Sequence, residues 1–348
     1  MSKTIIAGPC SVESREQLRQ VTAALAALPE VTMIRAGVWK PRTRPGAFEG
    51  LGEPALRWMQ ELSEEYGVRY CCEVARPEHV DLCRQYGIDT VWLGARTTTN
   101  PFMVEEICAA LRGSALRVLV KNPVCPDVRL WLGAIERLRE AGIADITAVH
   151  RGFAMYHTAP SKSYRNAPLW EVVLELRREL PDLPILCDPS HIGGRADLVA
   201  PIAAAAIQLG YDGLMVEVHP HPADAWTDAA QQLAPDTLAD LLARLRDTAA
   251  PAQGSDPRLI PLRQQIDDID HELLTLIARR MELSVQIAGI KRQTGMTVYQ
   301  PLRWDTVLRD RQQLAATLGL DEAFTNEMLE KIHAESMRVQ IEGKASSH

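Results

Sequence analysis

Eight short apolar runs, each followed by a helix-like stretch, constrain this chain more than any other feature. They are Thr4–Ala7, Thr32–Ala36, Arg69–Glu73, Thr90–Leu93, Arg117–Val120, Asp145–Val149, Pro184–Cys187 and Gly213–Val216. Runs of this length read as buried strands. Several intervening helix patterns end in glycine followed by an apolar residue, at Gly67-Val68, Gly87-Ile88, Gly142-Ile143 and Gly210-Tyr211. Glycine there fits a left-handed helix C-cap. Eight β-α units in roughly 250 residues are the usual size of an α/β fold of the (β/α)8 TIM-barrel type. An open doubly wound sheet is the alternative. The count of eight and the absence of a G-x-G-x-x-G fingerprint favour the barrel.

Polar or special residues follow nearly every run. They are Gly8-Pro9-Cys10-Ser11, Arg35 through Thr43, Gly94-Ala95-Arg96, Lys121-Asn122-Pro123, His150-Arg151-Gly152, Asp188-Pro189-Ser190-His191 and Glu217-Val218-His219-Pro220. The opposite ends of the runs show nothing comparable. In a barrel the active site lies at the C-terminal ends of the strands, which accounts for this asymmetry.

After residue 247 the alternation stops. Residues 249–257, with their alanines, prolines, glycine and serine, read as a linker between a barrel at 1–248 and a helical domain at 258–343, with a frayed tail at 344–348. Leu262, Ile266, Ile269, Leu273, Leu276, Ile277, Leu283, Ile287 and Ile290 mark one long amphipathic helix of about 30 residues. Shorter helices follow near Leu302–Leu318 and Asp321–Glu342. Three helices of this size cannot easily bury so long an apolar face. Packing against a second copy or against the barrel completes the core, so a homodimer is expected.

Composition narrows the function classes. A formal charge of −7 argues against general nucleic-acid binding. No apolar run reaches the roughly 18 residues of a membrane span. The N-terminus runs straight into the first strand, so no signal or transit peptide is expected. Seven cysteines, with no C-x-x-C pair, fit reduced thiols in a cytoplasmic protein. Most read as small core residues, whereas Cys10 ends a strand.

The expected rim gathers two kinds of chemistry. Cys10, His191, Glu217 and Asp228 offer a thiolate, an imidazole and two carboxylates, a donor set suited to a divalent Mn, Fe, Co or Zn ion. They come from strands one, seven and eight and the loop beyond, which adjoin in a closed barrel. Arg35, Lys40, Arg42, Arg96, Lys121 and Arg151 place cations at the ends of strands two, four, five and six. Concentrated on one rim of an acidic protein, they suit a multiply charged anion. Each residue alone has an ordinary structural reading, as packing or as a solvated ion pair.

These motifs, in this order, resemble the DAHP (3-deoxy-D-arabino-heptulosonate 7-phosphate) synthases. The short type I branch, close to the 3-deoxy-octulosonate 8-phosphate synthases, is the nearest pattern. The resemblance covers residues 1 to 245. It implies condensation of phosphoenolpyruvate with erythrose 4-phosphate, the first step of aromatic biosynthesis. It implies that Cys10, His191, Glu217 and Asp228 hold the metal. Arg35, Lys40, Arg96, Lys121 and Arg151 would bind phosphoenolpyruvate, with Lys121 also a candidate proton donor. Arg42 and Thr43, in Lys40-Pro41-Arg42-Thr43, would meet the aldose phosphate. Synthases that use arabinose 5-phosphate typically carry Ala-Asn in place of Pro-Arg there, so the four-carbon sugar is expected. N-terminal regulatory domains found on some relatives are expected to be absent.

In the helical part, Arg280 and Lys291 are 11 residues apart, close to three turns, and share one face. Arg263 lies 17 residues before Arg280 and about 100° off that face. Ser336 and Gln340 share a face near the C-terminus. Cations on an amphipathic helix are usually a solvated face. Yet Leu262-Arg263, Ala278-Arg279-Arg280, Ile290-Lys291, Arg303 and Ser336 through Gln340 resemble the all-helical AroQ-type chorismate mutases over residues 257–342. That resemblance implies an intertwined dimer in which Arg263 comes from the second chain. Arg263 and Arg280 would bind the two carboxylates of chorismate. Lys291 and Gln340 would stabilise charge on the breaking ether oxygen, and Arg303 and Ser336 would complete the pocket. Two positions depart from the pattern. Gln300 and Trp304 stand where acids that help to hold the substrate hydroxyl are common.

A bifunctional enzyme is therefore expected, with prephenate as a feedback ligand. The alternative is a barrel synthase whose helical domain only dimerises or regulates.

Overall fold

The eight apolar runs form eight strands in a computed structural model. They are β1 (Thr4–Gly8), β2 (Val31–Arg35), β3 (Tyr70–Val74), β4 (Thr90–Leu93), β5 (Arg117–Lys121), β6 (Ile146–His150), β7 (Ile185–Cys187) and β8 (Gly213–Glu217). Each begins and ends within a residue of its expected bounds. Every neighbour pairs in parallel and in chain order. β8 closes on β1, from Thr4 opposite Gly213 to Gly8 opposite Glu217. The sheet is a closed barrel, and the doubly wound alternative is set aside. The structure describes residues 3–41, 46–154, 164–247 and 259–342. Arg42 and Thr43, the expected linker and the tail lie outside them.

Local chemistry sets the helix ends. Ser14, Asn100 and Asp127 each accept a hydrogen bond from a backbone N–H in the first turn of the helix they precede. Such N-caps satisfy donors that the helix itself leaves unpaired. Gly67, Gly87, Gly142 and Gly210 all have positive φ, as the glycine-apolar pattern requires. The helices turn apolar faces to the strands. In Arg15–Ala26, for example, Leu18, Val21 and Leu25 are buried at three- and four-residue spacing. Burying each such side chain contributes about 1.5–3 kcal/mol.

One close approach bears on the site. A Cβ on Gly37 would lie 2.0 Å from the carbonyl oxygen of Cys10. Only glycine lets the segment after β2 cross the segment after β1 at that distance. Val12 N–H then donates to the Gly37 carbonyl at 2.8 Å. Together these contacts fix where Cys10 stands.

The chain divides into two units, Met1–Pro251 and Ala252–His348. The second contains helices Leu259–Thr294, Pro301–Thr317 and Glu322–Glu342, referred to below as the long, second and third helices. The third packs against both others. Met281, Ser284, Ala288, Ala315, Thr325, Ser336 and Val339 are the described buried residues of these three helices. Most of the apolar stripe read from the sequence is uncovered. Leu262, Ile266, Ile269, Leu273, Leu276 and Ile290 each expose more than half of their surface. No helix is long and apolar enough to cross a membrane among the described residues.

Candidate active sites

The barrel site begins with charges at the strand ends. Arg35 is the last residue of β2 and Lys121 the last of β5. Both side chains lie over the ring of Trp92 from β4, at 5.1 and 5.6 Å. Arg96 stands on a short helix, Ala95–Thr98, just after β4. Arg151 follows β6, where its backbone N–H donates to Asn122 Oδ1 at 2.7 Å and its guanidinium donates to Asn166 Oδ1 at 2.9 Å. Burial lowers the Arg151 pKa to about 10, which leaves it charged near neutrality. Arg35, Lys40, Arg96, Lys121 and Arg151 line one cleft with Arg165, Glu73, His191 and Asp228. Lys40 and Arg96 also line the neighbouring cleft that contains Trp39 and His79.

Buried carboxylates balance these cations. Arg35 Nη2 lies 3.0 Å from Glu217 Oε1, and Arg35 Nη1 lies 3.9 Å from Asp188 Oδ2. Its Nε and Nη1 still have no hydrogen-bond partner among the described residues, so part of this guanidinium is unspent there. Lys121 Nζ donates to Asp188 Oδ2 at 2.9 Å. Burial would raise the Asp188 pKa, but the adjoining His191 ring and the charges of Lys121 and Arg35 hold it well below the usual carboxylate range. Burial alone would expel such ions. The pairing keeps them charged.

Beside the cations lies a cluster of metal-type donors. One atom each of Cys10, Glu217 and Asp228 falls within 4.8 Å of the others. Cys10 Sγ is 3.3 Å from Asp228 Oδ2. His191 adjoins this set, with Nε2 3.8 Å from Glu217 Oε1 and Nδ1 2.8 Å from Asp188 Oδ2. The latter contact is close but not aligned as a hydrogen bond, since Nδ1 has no hydrogen-bond partner among the described residues. Asp188 also accepts from the backbone N–H of His191 at 3.1 Å, capping the short helix Pro189–Gly193. Asp228 has φ of 50°, a left-handed conformation that short polar residues tolerate best. Arg165 Nη1 holds it at 2.9 Å.

This donor set fits a divalent ion. Glu217 Oε1 is buried without a hydrogen-bond partner among the described residues, despite the nearby Arg35 charge. Cys10 is fully buried, and burial together with Glu217 pushes its thiol up to about 12. Lys40 Nζ lies 2.6 Å from Cys10 Sγ, donating to it. Burial lowers the pKa of the His191 imidazole, which favours its neutral, ligating form. The cluster therefore combines an unpaired oxygen, a neutral imidazole and a thiol that needs nearby positive charge to ionise.

The second cluster lies in the helical unit. Arg280 donates to Ser336 Oγ and, at 3.3 Å, to the Ile332 carbonyl. Lys291 Nζ donates to Gln340 Oε1 at 3.1 Å and to the Val298 carbonyl at 2.6 Å. The long and third helices thus bring together Arg280, Lys291, Ser336 and Gln340. Arg263 is exposed near the start of the long helix, about 26 Å along its axis from Arg280 at the rise of an α-helix. Arg303 is exposed on the second helix. Arg263 does not join the cluster within one chain.

Several site residues escape a reading by motif. Arg165, Glu73 and Gln231 stand in the barrel cluster, where Gln231 Nε2 donates to Glu217 Oε2 at 2.7 Å. Arg165 lies well beyond the end of β6, where no strand or helix period marks it. Its only sequence signal is a cation beside Asn166 in a long connection. Glu73 is visible as the one acid within an apolar strand.

A closed parallel barrel with cations, buried carboxylates and metal-type donors at one rim is an enzyme acting on multiply charged anions. The chain belongs to the DAHP synthetase I family, which matches residues 2–252. Residues 262–341 match chorismate mutase type II. The chain is therefore a bifunctional enzyme of aromatic biosynthesis, with a DAHP synthase domain followed by a chorismate mutase domain. The phospho-2-dehydro-3-deoxyheptonate aldolase of Thermotoga maritima is 36% identical over 247 residues, covering 71% of this chain and 70% of that protein. A crystal structure of that aldolase matches at 33% identity with a TM-score of 0.62, covering 71% of this chain and 69% of its own. The 2-dehydro-3-deoxyphosphooctonate aldolase of Wolinella succinogenes is 24% identical over 261 residues, covering 69% of this chain and 97% of that protein.

Proposed function

We propose that the barrel joins phosphoenolpyruvate to erythrose 4-phosphate, giving 3-deoxy-D-arabino-heptulosonate 7-phosphate and phosphate. The convergence of Arg35, Arg96, Lys121, Arg151 and Arg165 on one cleft beside Cys10, Glu217 and Asp228 carries this reading. Arg96, Arg151 and Arg165 offer forked donors for the phosphate, and Lys121 with the unspent face of Arg35 serves the carboxylate. Lys40 adds charge between this anion and the metal donors. Arg42 and Thr43 are assigned to the aldose phosphate.

Cys10, His191, Glu217 and Asp228 would hold a divalent Mn, Fe, Co or Zn ion, which would supply Lewis acidity to the aldehyde when bound. C3 of phosphoenolpyruvate then bonds to the aldehyde carbon. Water adds at C2, and phosphate departs as the C2–O bond breaks. Lys121 Nζ, which donates to Asp188 Oδ2 at 2.9 Å, would deliver a proton to the developing alkoxide. Asp188 orients both Lys121 and His191, so one buried acid serves the anion side and the metal side.

The helical unit, in the same proposal, converts chorismate to prephenate. A Claisen rearrangement needs no nucleophile, only a cationic pocket that favours the compact transition state. Arg280 and Arg263 take the two carboxylates. Lys291 and Gln340 face the breaking ether oxygen, and Arg303 and Ser336 close the pocket. Arg263 reaches this cluster from a second copy, in a homodimer that covers the exposed apolar stripe of the long helix. Prephenate is the proposed feedback ligand of the synthase. Seven free thiols suit a cytoplasmic setting.

The test is an assay of both reactions on the full-length protein. Excess EDTA should abolish the synthase, and Mn²⁺ should restore it, while the mutase is unaffected. Full synthase activity in excess EDTA would sink the metal assignment. A second reading keeps the helical unit as a binding module without turnover. Its support is Trp304, whose ring stacks on His333 at 3.9 Å where relatives commonly carry an acid. Consumption of chorismate separates the two.

A further inference from the structure

Near the cations of the helical unit lies a polar atom without a partner. His333 Nε2 is buried and makes no hydrogen bond among the described residues. A buried polar atom is costly to leave unpaired, so it points to a ligand or an unseen partner. His333 stands three residues before Ser336 and seven before Gln340 on the third helix. That spacing puts all three on one face. Ser336 and Gln340 already meet Arg280 and Lys291 across the cluster.

The ring of His333 is also fixed in place. Trp304 of the second helix stacks on it at 3.9 Å with 12° between planes, and Tyr299 flanks it at 6.2 Å. Stacking restricts rotation of the imidazole, so its nitrogen is aimed before any ligand arrives. Burial, with Arg280 and Lys291 nearby, lowers the imidazole pKa below its ordinary value, so the ring is neutral near pH 7. A neutral group among cations is a poor choice for a carboxylate and a good one for an uncharged hydroxyl.

We propose that His333, clamped by Trp304, positions the ring hydroxyl of the substrate in the mutase pocket. The inference rests on reading the Arg280, Lys291, Ser336 and Gln340 cluster as that pocket. Chorismate presents two carboxylates, an ether oxygen and one hydroxyl. The cations and Gln340 account for the first three, and Ser336 Oγ is engaged by Arg280 and by the Ile332 carbonyl. Position 304 is an indole and position 300 an amide, so neither brings a carboxylate to the hydroxyl. A hydroxyl both donates and accepts, so it pairs with Nε2 in either imidazole tautomer. His333 is thus a positioning residue that sets specificity for the hydroxyl and takes no proton from the reacting bonds.

The test compares two substrates on the full-length protein. His333→Phe keeps the stack on Trp304 and removes the nitrogen. It should lower kcat/KM for chorismate by about tenfold, the usual scale for losing one neutral hydrogen bond in a closed site. On an analogue that lacks the ring hydroxyl, wild type and variant should react equally fast. His333→Gln, which keeps a hydrogen-bonding side chain, should recover part of the loss. Equal losses on both substrates would mean a structural role and overturn the proposal. So would an unchanged rate on chorismate, or a loss that accompanies a change in solution mass. A wild-type protein inert toward chorismate would remove the mutase reading itself. An active wild type with an indifferent variant removes this inference alone.

Discussion

Asp188 and His150 are buried ionisable neighbours with opposite fates, and the backbone N–H of Asp188 donates to the His150 carbonyl at 2.7 Å. Asp188 stays charged because Lys121, His191 and Arg35 surround it. His150 meets a tyrosine hydroxyl at 2.9 Å, the backbone of Pro168 and the rings of Phe153, Trp170 and Tyr211, and burial drives its pKa down to about 3. The folded His150 therefore binds a proton far less readily than the unfolded one. Its contribution to stability is complete above the unfolded pKa of about 6.5 and is lost as pH falls from there toward 3. The double variant His150→Phe, Tyr211→Phe removes the proton site and both hydrogen-bonding groups together. Between pH 6 and 4 its unfolding free energy should fall less steeply than wild type, by about 1.4 kcal/mol per pH unit. Urea unfolding followed by tryptophan fluorescence measures this, and equal slopes would refute it. The two residues also mark how far the sequence can be read. Each stands visibly at a strand end, because burial of the strand and polarity after it are local properties. Which one is charged depends on partners from β2 and β5 and the helices, and no local pattern reports that. Arg165 is harder still, since its partners Asp228 and Gln231 lie across the barrel mouth from an unpatterned connection.

The strands and helices were legible for a different reason. Barrel strands are apolar throughout because helices cover their outer faces, so each run stands out from the amphipathic stretches around it. The long helix was equally clear, since its leucines and isoleucines keep a helical period over Leu259–Thr294. What covers that stripe is absent from the period itself. Leu273 and Leu276 are more than half exposed in one chain, and Arg263 is far from Arg280 on the same rod. The proposed second copy would meet both needs, covering the stripe and returning an arginine to the cluster. Ile269→Asp places a charge in that stripe. It should halve the solution mass at low protein concentration and lower mutase kcat/KM about 100-fold, the scale of losing a charge-assisted contact to a carboxylate. Because assembly follows mass action, raising the protein concentration should recover activity in part. Light scattering and a chorismate assay over a concentration series check this. A dimer with full activity would show that the stripe has another use.

Two anion sites on one chain raise the question of whether they are coupled. The synthase makes an early precursor of what the mutase consumes, so a ligand of the second site reports demand on the first. Sharing a chain does not couple them. Prephenate can slow the synthase only if it binds two arrangements of the molecule with unequal affinity, and those arrangements must differ in synthase competence. Linkage then imposes a reciprocal requirement. If prephenate weakens phosphoenolpyruvate binding by some factor, phosphoenolpyruvate must weaken prephenate binding by the same factor, about 5- to 150-fold for ordinary couplings. Calorimetric titration of prephenate with and without saturating phosphoenolpyruvate measures that factor directly, free of the asymmetries of rate constants. We predict that both affinities shift together and that prephenate inhibits the synthase. Arg280→Ala, which removes the proposed carboxylate anchor from the helical cluster, should abolish mutase turnover and this inhibition together. Deletion of residues 251–348 should abolish the inhibition as well. Prephenate that binds with one affinity, whatever occupies the barrel, would leave two independent enzymes on one chain.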